Sequence, residues 1–234
     1  MTTRETLVQG LAQIRPQIPA QAVDNLLRFS DRLLETNKVM NLTAVTDPDE
    51  VVLRHFLDCA VLMPHMQNGQ KVIDIGTGAG FPGLPLAILC PETGFVLLDA
   101  LRKRIDFLND TIAALGLQNV TAVHARAEEF ASKHRGAFDA AVSRAVADLR
   151  VLSELTLPLV KTGGTFYAMK AADCAAEAQS AANAARLLGA APAEIQQYRV
   201  PVSDTPRAMV ILRKTAETPA KYPRRFAKIS AAPL

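Results

Sequence analysis

Apolar residues recur at helical spacing at the start of the chain. Leu7, Leu11 and Ile14 share one face, Pro16 and Pro19 stop the run, and Val23, Leu26, Leu27, Leu33 and Leu34 mark a second amphipathic segment. Asn41-Leu42-Thr43-Ala44-Val45 predicts a short extended or looped stretch. Asp47-Pro48-Asp49-Glu50 has the cap residue, early proline and acids of a helix start, and that helix is expected to run through His55 and Asp58.

From Lys71 the pattern changes to alternating strands and helices. Val72-Ile73-Asp74-Ile75 predicts a buried strand, followed by a glycine-rich turn and an apolar helix over 84–89. Phe95 to Asp99 predicts a second strand, and a helix over 102–115 ends at Gly116 as its C-cap. Residues 120–123 and 138–142 read as strands three and four. A helix over 149–160 is expected to lead through Gly163-Gly164 into strand five over 165–169, and the alanine-rich stretch 171–188 is a helix by propensity. The last two strand-like segments, 195–200 and 209–212, are joined by a link too short for a helix, which suits an antiparallel hairpin. Five βα units closed by a hairpin predict an α/β fold: a doubly wound sheet with one antiparallel strand near its edge.

Composition adds limits. The 234 residues are 49% hydrophobic and 21% charged, the balance of a globular chain, and no apolar run is long enough to cross a bilayer. The N-terminus lacks the apolar core of a signal peptide, and Cys59, Cys90 and Cys174 are odd in number and widely spaced. Reduced thiols in a cytoplasmic protein are therefore expected, without disulfides or a zinc site. The histidines show no ligand spacing, so no metal is expected. Net charge is +3, but residues 207–234 hold seven basic residues against one acid, +6, which leaves −3 for the rest. A basic tail on a slightly acidic body suits a polyanion such as nucleic acid, though a solvated tail would look the same. The expected organisation is a helical extension over 1–66 packed on the core, a catalytic domain over 67–214 and a basic tail over 215–234.

The chemistry concentrates in Asp74-Ile75-Gly76-Thr77-Gly78-Ala79-Gly80-Phe81-Pro82-Gly83. Glycines at this spacing let the backbone turn tightly after a strand and approach a ligand without Cβ obstruction. Gly78, Gly80 and Gly83 satisfy the dinucleotide fingerprint, whereas Asp74 with Gly76, Gly78 and Gly80 satisfies the turn that holds S-adenosylmethionine. The second fits better. An acid at the strand end can serve that ligand's ammonium group but would repel a pyrophosphate, and Pro82 and Pro85 remove backbone donors that a diphosphate would use. Asp99 ends strand two, where a carboxylate can accept both ribose hydroxyls or cap the following helix. Arg126-Ala127-Glu128-Glu129 after strand three lies where adenine is read in such a fold, although the same residues would open any helix. Strand four ends in Ser143-Arg144-Ala145. The cation there could meet the cofactor or an RNA anion, or pair at the surface with Asp148.

With these residues the chain resembles the RsmG (GidB) family of 16S ribosomal RNA guanine-N7 methyltransferases. The likeness rests on Asn41-Leu42-Thr43-Ala44, Arg54-His55-Phe56-Leu57-Asp58, the glycine turn through Pro85, Leu98-Asp99, Arg126-Ala127-Glu128, Ser143-Arg144-Ala145 and Tyr222-Pro223-Arg224-Arg225. It implies a class I S-adenosylmethionine-dependent methyltransferase, Rossmann-like, with an N-terminal helical extension, acting in the cytoplasm, as a monomer, on 16S ribosomal RNA or the small subunit. Gly76, Gly78, Phe81, Asp99, Ala127, Glu128 and Arg144 are the expected cofactor contacts. Arg54, His55, Lys170, Arg224 and Arg225 are candidates for the RNA, with packing or solvation as the plainer reading of each. Two departures from the family stand out: Cys59 stands where serine is usual, and the tail after Arg225 reads Phe226 to Leu234 where many members carry an Ala-Gly and further lysines. Guanine N7 carries a lone pair and no proton, so no general base is expected. Two rival readings remain, an NAD-dependent oxidoreductase built on the overlapping glycine motif and a non-catalytic RNA-binding assembly factor on a methyltransferase scaffold.

Overall fold

The computed structural model describes residues 1–144 and 146–234; Ala145, the last residue of the Ser143-Arg144-Ala145 motif, lies outside the described residues. Helix α1 (Thr3–Ile14) begins with a reciprocal cap, in which the Thr2 hydroxyl accepts from the Glu5 amide and the Glu5 carboxylate accepts from the Thr2 amide. Helix α2 (Ala20–Met40) ends at Asn41, whose left-handed backbone (φ 49°) turns the chain into the loop before Asp47. The Asn37 side chain pins that loop through both the N–H and the C=O of Thr43. Asp47 then caps α3 (Pro48–Val51) by accepting from the amides of Asp49 and Glu50.

The helix that starts there is not uniform. It passes through a π turn over Val52–Phe56 before resuming as α4 (Leu57–Ala60). The apolar pattern predicts a plain helix and carries no sign of the extra residue in this turn. Such turns are frequent at functional positions, and this one holds Arg54 and His55.

The sheet follows: β1 (Lys71–Ile75), α5 (Gly83–Leu89), β2 (Gly94–Asp99), α6 (Arg102–Leu115), β3 (Val120–His124), α7 (Ala127–Lys133), β4 (Phe138–Arg144), α8 (Leu149–Thr156), β5 (Val160–Ala171), α9 (Ala175–Ser180), α10 (Ala182–Leu187), β6 (Glu194–Arg199) and β7 (Pro206–Arg213), with α11 (Phe226–Ala231) in the tail. The strand order is β3-β2-β1-β4-β5-β7-β6, and β7 alone runs antiparallel to its neighbours. Order reverses between β1 and β4, and the crevice outside the carboxyl ends of strands at such a reversal is where open α/β sheets bind ligands.

Two expectations are corrected. Strand five begins at Val160, and Gly163-Gly164 lie within it as a bulge: Phe138 faces Val160 while Ala140 already faces Thr165. Gly163 has φ 87°, and a Cβ on Gly164 would stand 2.5 Å from the Asp139 carbonyl oxygen, so both positions require glycine. The alanine-rich stretch is two short helices meeting at Ala181, because Ala178, Ala181, Ala184 and Ala185 all pack onto the sheet and packing overrides propensity.

Each sheet face has its own core. One unites residues of α1, α2 and the π-turn helix with α5 and α6, so the N-terminal helices share a core with the sheet. The other joins α8, α9 and α10 to the opposite face. The tail is docked along this second side. The Arg135 guanidinium donates to the carbonyl of Pro219, the buried Lys214 ammonium to the Thr218 hydroxyl, and Tyr222 and Ile229 are buried. Arg224 forks onto the carboxylate of Glu154, at 2.9 Å from Nε to Oε1 and 2.6 Å from Nη2 to Oε2, and its amide donates to the same group. Glu154 is 0% exposed, so this pair is the tail's main polar anchor.

Removing one partner of a buried pair leaves the other charge uncompensated, at a cost of about 3–5 kcal/mol. Arg224→Ala, which strands the buried Glu154 carboxylate, is expected to lower stability by an amount near that range in urea unfolding. Glu154→Gln, which leaves a neutral group facing a half-buried arginine, is expected to cost less.

Candidate functional site

A cleft of about 870 Å³ opens at the carboxyl end of the sheet, lined along one wall by Ile75 to Ala79, Leu98 to Leu101 and Ala125 to Glu128. That size falls within the roughly 300–1,000 Å³ of small-molecule sites. The glycine turn forms its floor and is held by two carboxylates. Asp74 is 0% exposed, and its Oδ2 accepts from the Thr77 hydroxyl at 2.7 Å and the Gly83 amide at 2.8 Å. Asp99 accepts from the Gly78 amide at 2.9 Å and, with its other oxygen, from the Leu101 amide just before α6. Arg104 completes its shell at 3.2 Å.

Asp74 does not line the cleft: its Oδ2 is taken up inside the turn, while its Oδ1 is buried with no hydrogen-bond partner among the described residues. Burial pushes the carboxyl up to about 7, against the hydrogen bonds from Thr77 and Gly83. Asp99 does line the cleft while also bracing the turn and the start of α6.

At Gly78 (φ 61°) an added Cβ would point into the cleft, meeting nothing nearer than the Gly76 carbonyl oxygen at 3.9 Å. The backbone there is a cradle that any side chain would fill. Gly76 differs: a Cβ would collide with Val146 at 2.8 Å. Ala127 and Glu128 open α7 on the same cleft, where the first amides of a helix have no partner inside it.

The opposite end of the cleft is cationic and aromatic. Phe81 packs between His55, at 4.5 Å between ring centroids, and the Arg144 guanidinium, at 4.9 Å from the ring. Arg144 donates to the Arg54 carbonyl at 3.0 Å and to Asp58 Oδ2 at 3.2 Å, while Asp58 Oδ1 accepts from the Tyr198 hydroxyl at 2.9 Å. Asp58 thus ties α4, β4 and β6 together. It also replaces Asp148 as the partner of Arg144; Asp148 caps α8 and pairs with Arg150. His55 Nε2 lies 3.0 Å from the Thr43 hydroxyl, and burial together with the Arg144 charge pulls the imidazole down to about 4, so it is neutral at physiological pH.

The other nominated residues divide. Arg54 lies at the cleft rim, exposed, with Glu50 at 3.8 Å. Lys170 lines the cleft, but its ammonium is engaged by the Ala147 carbonyl at 2.8 Å and Glu177 at 2.7 Å. Arg224 is paired with Glu154 and anchors the tail, whereas Arg225 is exposed. Sequence reasoning missed Arg207, Tyr198, Thr43 and Phe226 as cleft residues. Arg207 and Tyr198 sit opposite each other across β6 and β7, and only the hairpin register, which the strand pattern implies without fixing, brings them to the rim.

The sequence matches the GidB family, rRNA small subunit methyltransferase G, over residues 22–204. The chain belongs to that family. Its relatives include the ribosomal RNA small subunit methyltransferase G of Acetivibrio thermocellus, 40% identical over 99% of this chain and 96% of that one. The protein of the same name from Alkaliphilus metalliredigens is 40% identical over the whole of both chains. Membership makes the chain an S-adenosylmethionine-dependent methyltransferase acting on small-subunit ribosomal RNA, and the oxidoreductase and non-catalytic readings fall away. Among solved structures, the fold is shared with a precorrin-6y C5,15-methyltransferase from Geobacter metallireducens GS-15 (TM-score 0.53, 17% identity, 67% of this chain and 87% of that one). It is shared too with a SAM-dependent O-methyltransferase from Thermotoga maritima (TM-score 0.53, 16% identity, 80% and 72%). Among the described residues no helix is long and apolar enough to cross a membrane.

A raised carboxyl pKa means that the folded state holds the proton more tightly than the unfolded chain. Asp74 therefore contributes stability that is fully present below about pH 4 and lost as pH rises towards about 7. His55 acts in the opposite sense over an overlapping range, so wild type alone will not isolate the effect. Asp74→Asn keeps an acceptor for Thr77 and Gly83 and removes the titration. Its stability relative to wild type, measured by urea unfolding, is expected to improve steadily from pH 4 to pH 8; a constant difference would show that Asp74 does not titrate in this window.

Proposed function

We propose that this enzyme transfers the methyl group of S-adenosylmethionine to N7 of a guanosine in 16S ribosomal RNA, in the loop near the decoding site. The observation that carries the cofactor assignment is the cradle at Gly78, open to the cleft, with Asp99 beside it at the end of β2 and Ala127-Glu128 beyond, after β3. S-adenosylmethionine, when bound, supplies an electrophilic methyl group on a sulfonium. Gly76 and Gly78 give its backbone-side access, the Asp99 carboxylate accepts from ribose hydroxyls, and Ala127 and Glu128 face the adenine edge. Phe81 and Arg144 close the other end, where Arg144 offers its charge to the methionine carboxylate or to an RNA phosphate.

The residues at that end suit an N7 nucleophile. N7 carries no proton, so no side chain has to remove one, and among the described residues none at this end is placed as a base. His55 is neutral but packed against Phe81 and bonded within the wall, and Asp58 is held by Arg144 and Tyr198. Catalysis then rests on holding nucleophile, methyl and sulfur in line, an effect worth up to roughly 7–11 kcal/mol in well-oriented systems. The RNA would approach over the rim bearing Arg54 and Arg207, with the exposed Arg225 of the tail as a further phosphate contact.

Mapping 7-methylguanosine in ribosomal RNA from cells with and without the gene tests the assignment; a methyl group lost from any atom other than a guanine N7 overturns it. Gly78→Val is expected to abolish binding of S-adenosylhomocysteine in calorimetry while RNA affinity is retained, and equal loss of both would refute separate sites. Arg225→Ala is expected to lower the salt slope of RNA affinity by about one unit, the contribution of one phosphate contact. Arg224→Ala, already engaged with Glu154, should act on stability instead.

A further inference from the structure

The tail ends on the cofactor cleft. Arg224 is locked onto buried Glu154, and Ile229 of α11 is buried against Val151 and Leu155 of α8, with Ala127 packed on the same small cluster. Between these two anchors stands Phe226, the first residue of α11. Its ring is 40% exposed, lines the cleft, and has the Arg126 guanidinium 6.0 Å from its centroid. A single exposed aromatic is common on a protein surface, but this one lies on the wall of the cleft. Arg126 immediately precedes Ala127 and Glu128, so the ring stands at the end of the cleft where those two residues begin α7.

We propose that the docked tail is part of the methyl-donor site, with Phe226 supplying an aromatic face for the adenine ring. The inference rests on the assignment of the cleft to S-adenosylmethionine. Three features support it. The ring faces the same cleft as Gly78 and Asp99. The tail that carries it is fixed by a buried ion pair, so the ring is held in place before any ligand arrives. An aromatic face also suits a purine, since every base offers a π surface to stack on.

The test is calorimetric titration of S-adenosylhomocysteine, and separately of adenosine, into wild type, Phe226→Ala and Phe226→Tyr. Phe226→Ala is expected to weaken both ligands by about tenfold, well within what loss of one base–aromatic stack produces. Phe226→Tyr restores the affinity. Because the ring is exposed, the ligand-free melting temperature of Phe226→Ala should match wild type while the ligand-induced rise in melting temperature shrinks. Wild-type binding with unchanged affinity in Phe226→Ala overturns the role of the tail and leaves the cleft assignment standing. Failure of wild type to bind either ligand overturns the cleft assignment, and this inference with it. A drop for S-adenosylhomocysteine but not for adenosine overturns the stacking on the base.

Discussion

A single buried carboxylate sets the geometry on which the cleft depends. Asp74 has no access to water, and its two hydrogen bonds, from the Thr77 hydroxyl and the Gly83 amide, close the glycine turn back onto the strand that precedes it. A Cβ on Gly83 would fall 2.8 Å from that same carboxylate, so the acid and the glycine require each other. Asp99 then fixes the apex of the turn from the neighbouring strand, through Gly78. Burying such a group is costly, and here Oδ2 carries both bonds while Oδ1 is left without a partner among the described residues, in keeping with the raised pKa of the carboxyl. The two bonds make the turn rigid before any ligand enters, and rigidity of this kind is what lets a site position rather than push its substrate.

A second brace works at the other end of the cleft. The network of Asp58, Arg144 and Tyr198 joins an N-terminal helix to β4 and to the edge hairpin, with Phe81 of the glycine turn lying under the arginine. The N-terminal helices therefore form one wall of the site as well as burying one face of the sheet. The π turn matters here because it brings the Arg54 carbonyl and the His55 ring to the same arginine that Asp58 binds.

What could be read in advance follows from the range of the interactions involved. The βα alternation, the glycine turn and the antiparallel hairpin are written locally, in apolar periodicity and in glycines adjacent to a strand, and the structure has them. That Asp99, Ala127 and Glu128 line the cleft was legible because they follow strands whose order the fold class dictates. The burial of Asp74 was not legible, because its neighbours in sequence suggest an open strand end while its Oδ2 closes onto Thr77 and Gly83. The π turn leaves no trace in a hydrophobic pattern that is apolar on either register. The pairing of Arg224 was hidden for a different reason: its partner, Glu154, is 70 positions away, and a basic run near a terminus gives no hint of a buried acid waiting for it. Charge counted along a chain overstates what is free for a polyanion wherever such pairs form.

The reversed direction of β7 carries a further consequence. Because it alone runs against the sheet, it starts beside the cleft at Arg207 and finishes at the far end, where Lys214 is buried against the carbonyls of Leu157 and Val160. Everything after it must climb back along the outside of α8 to bring Phe226 to the opening. The segment from Thr215 to Arg225 therefore sets where the ring stands: it leaves the far end of β7, is held on the way by Thr218 and by Arg224, and delivers α11 to the opening.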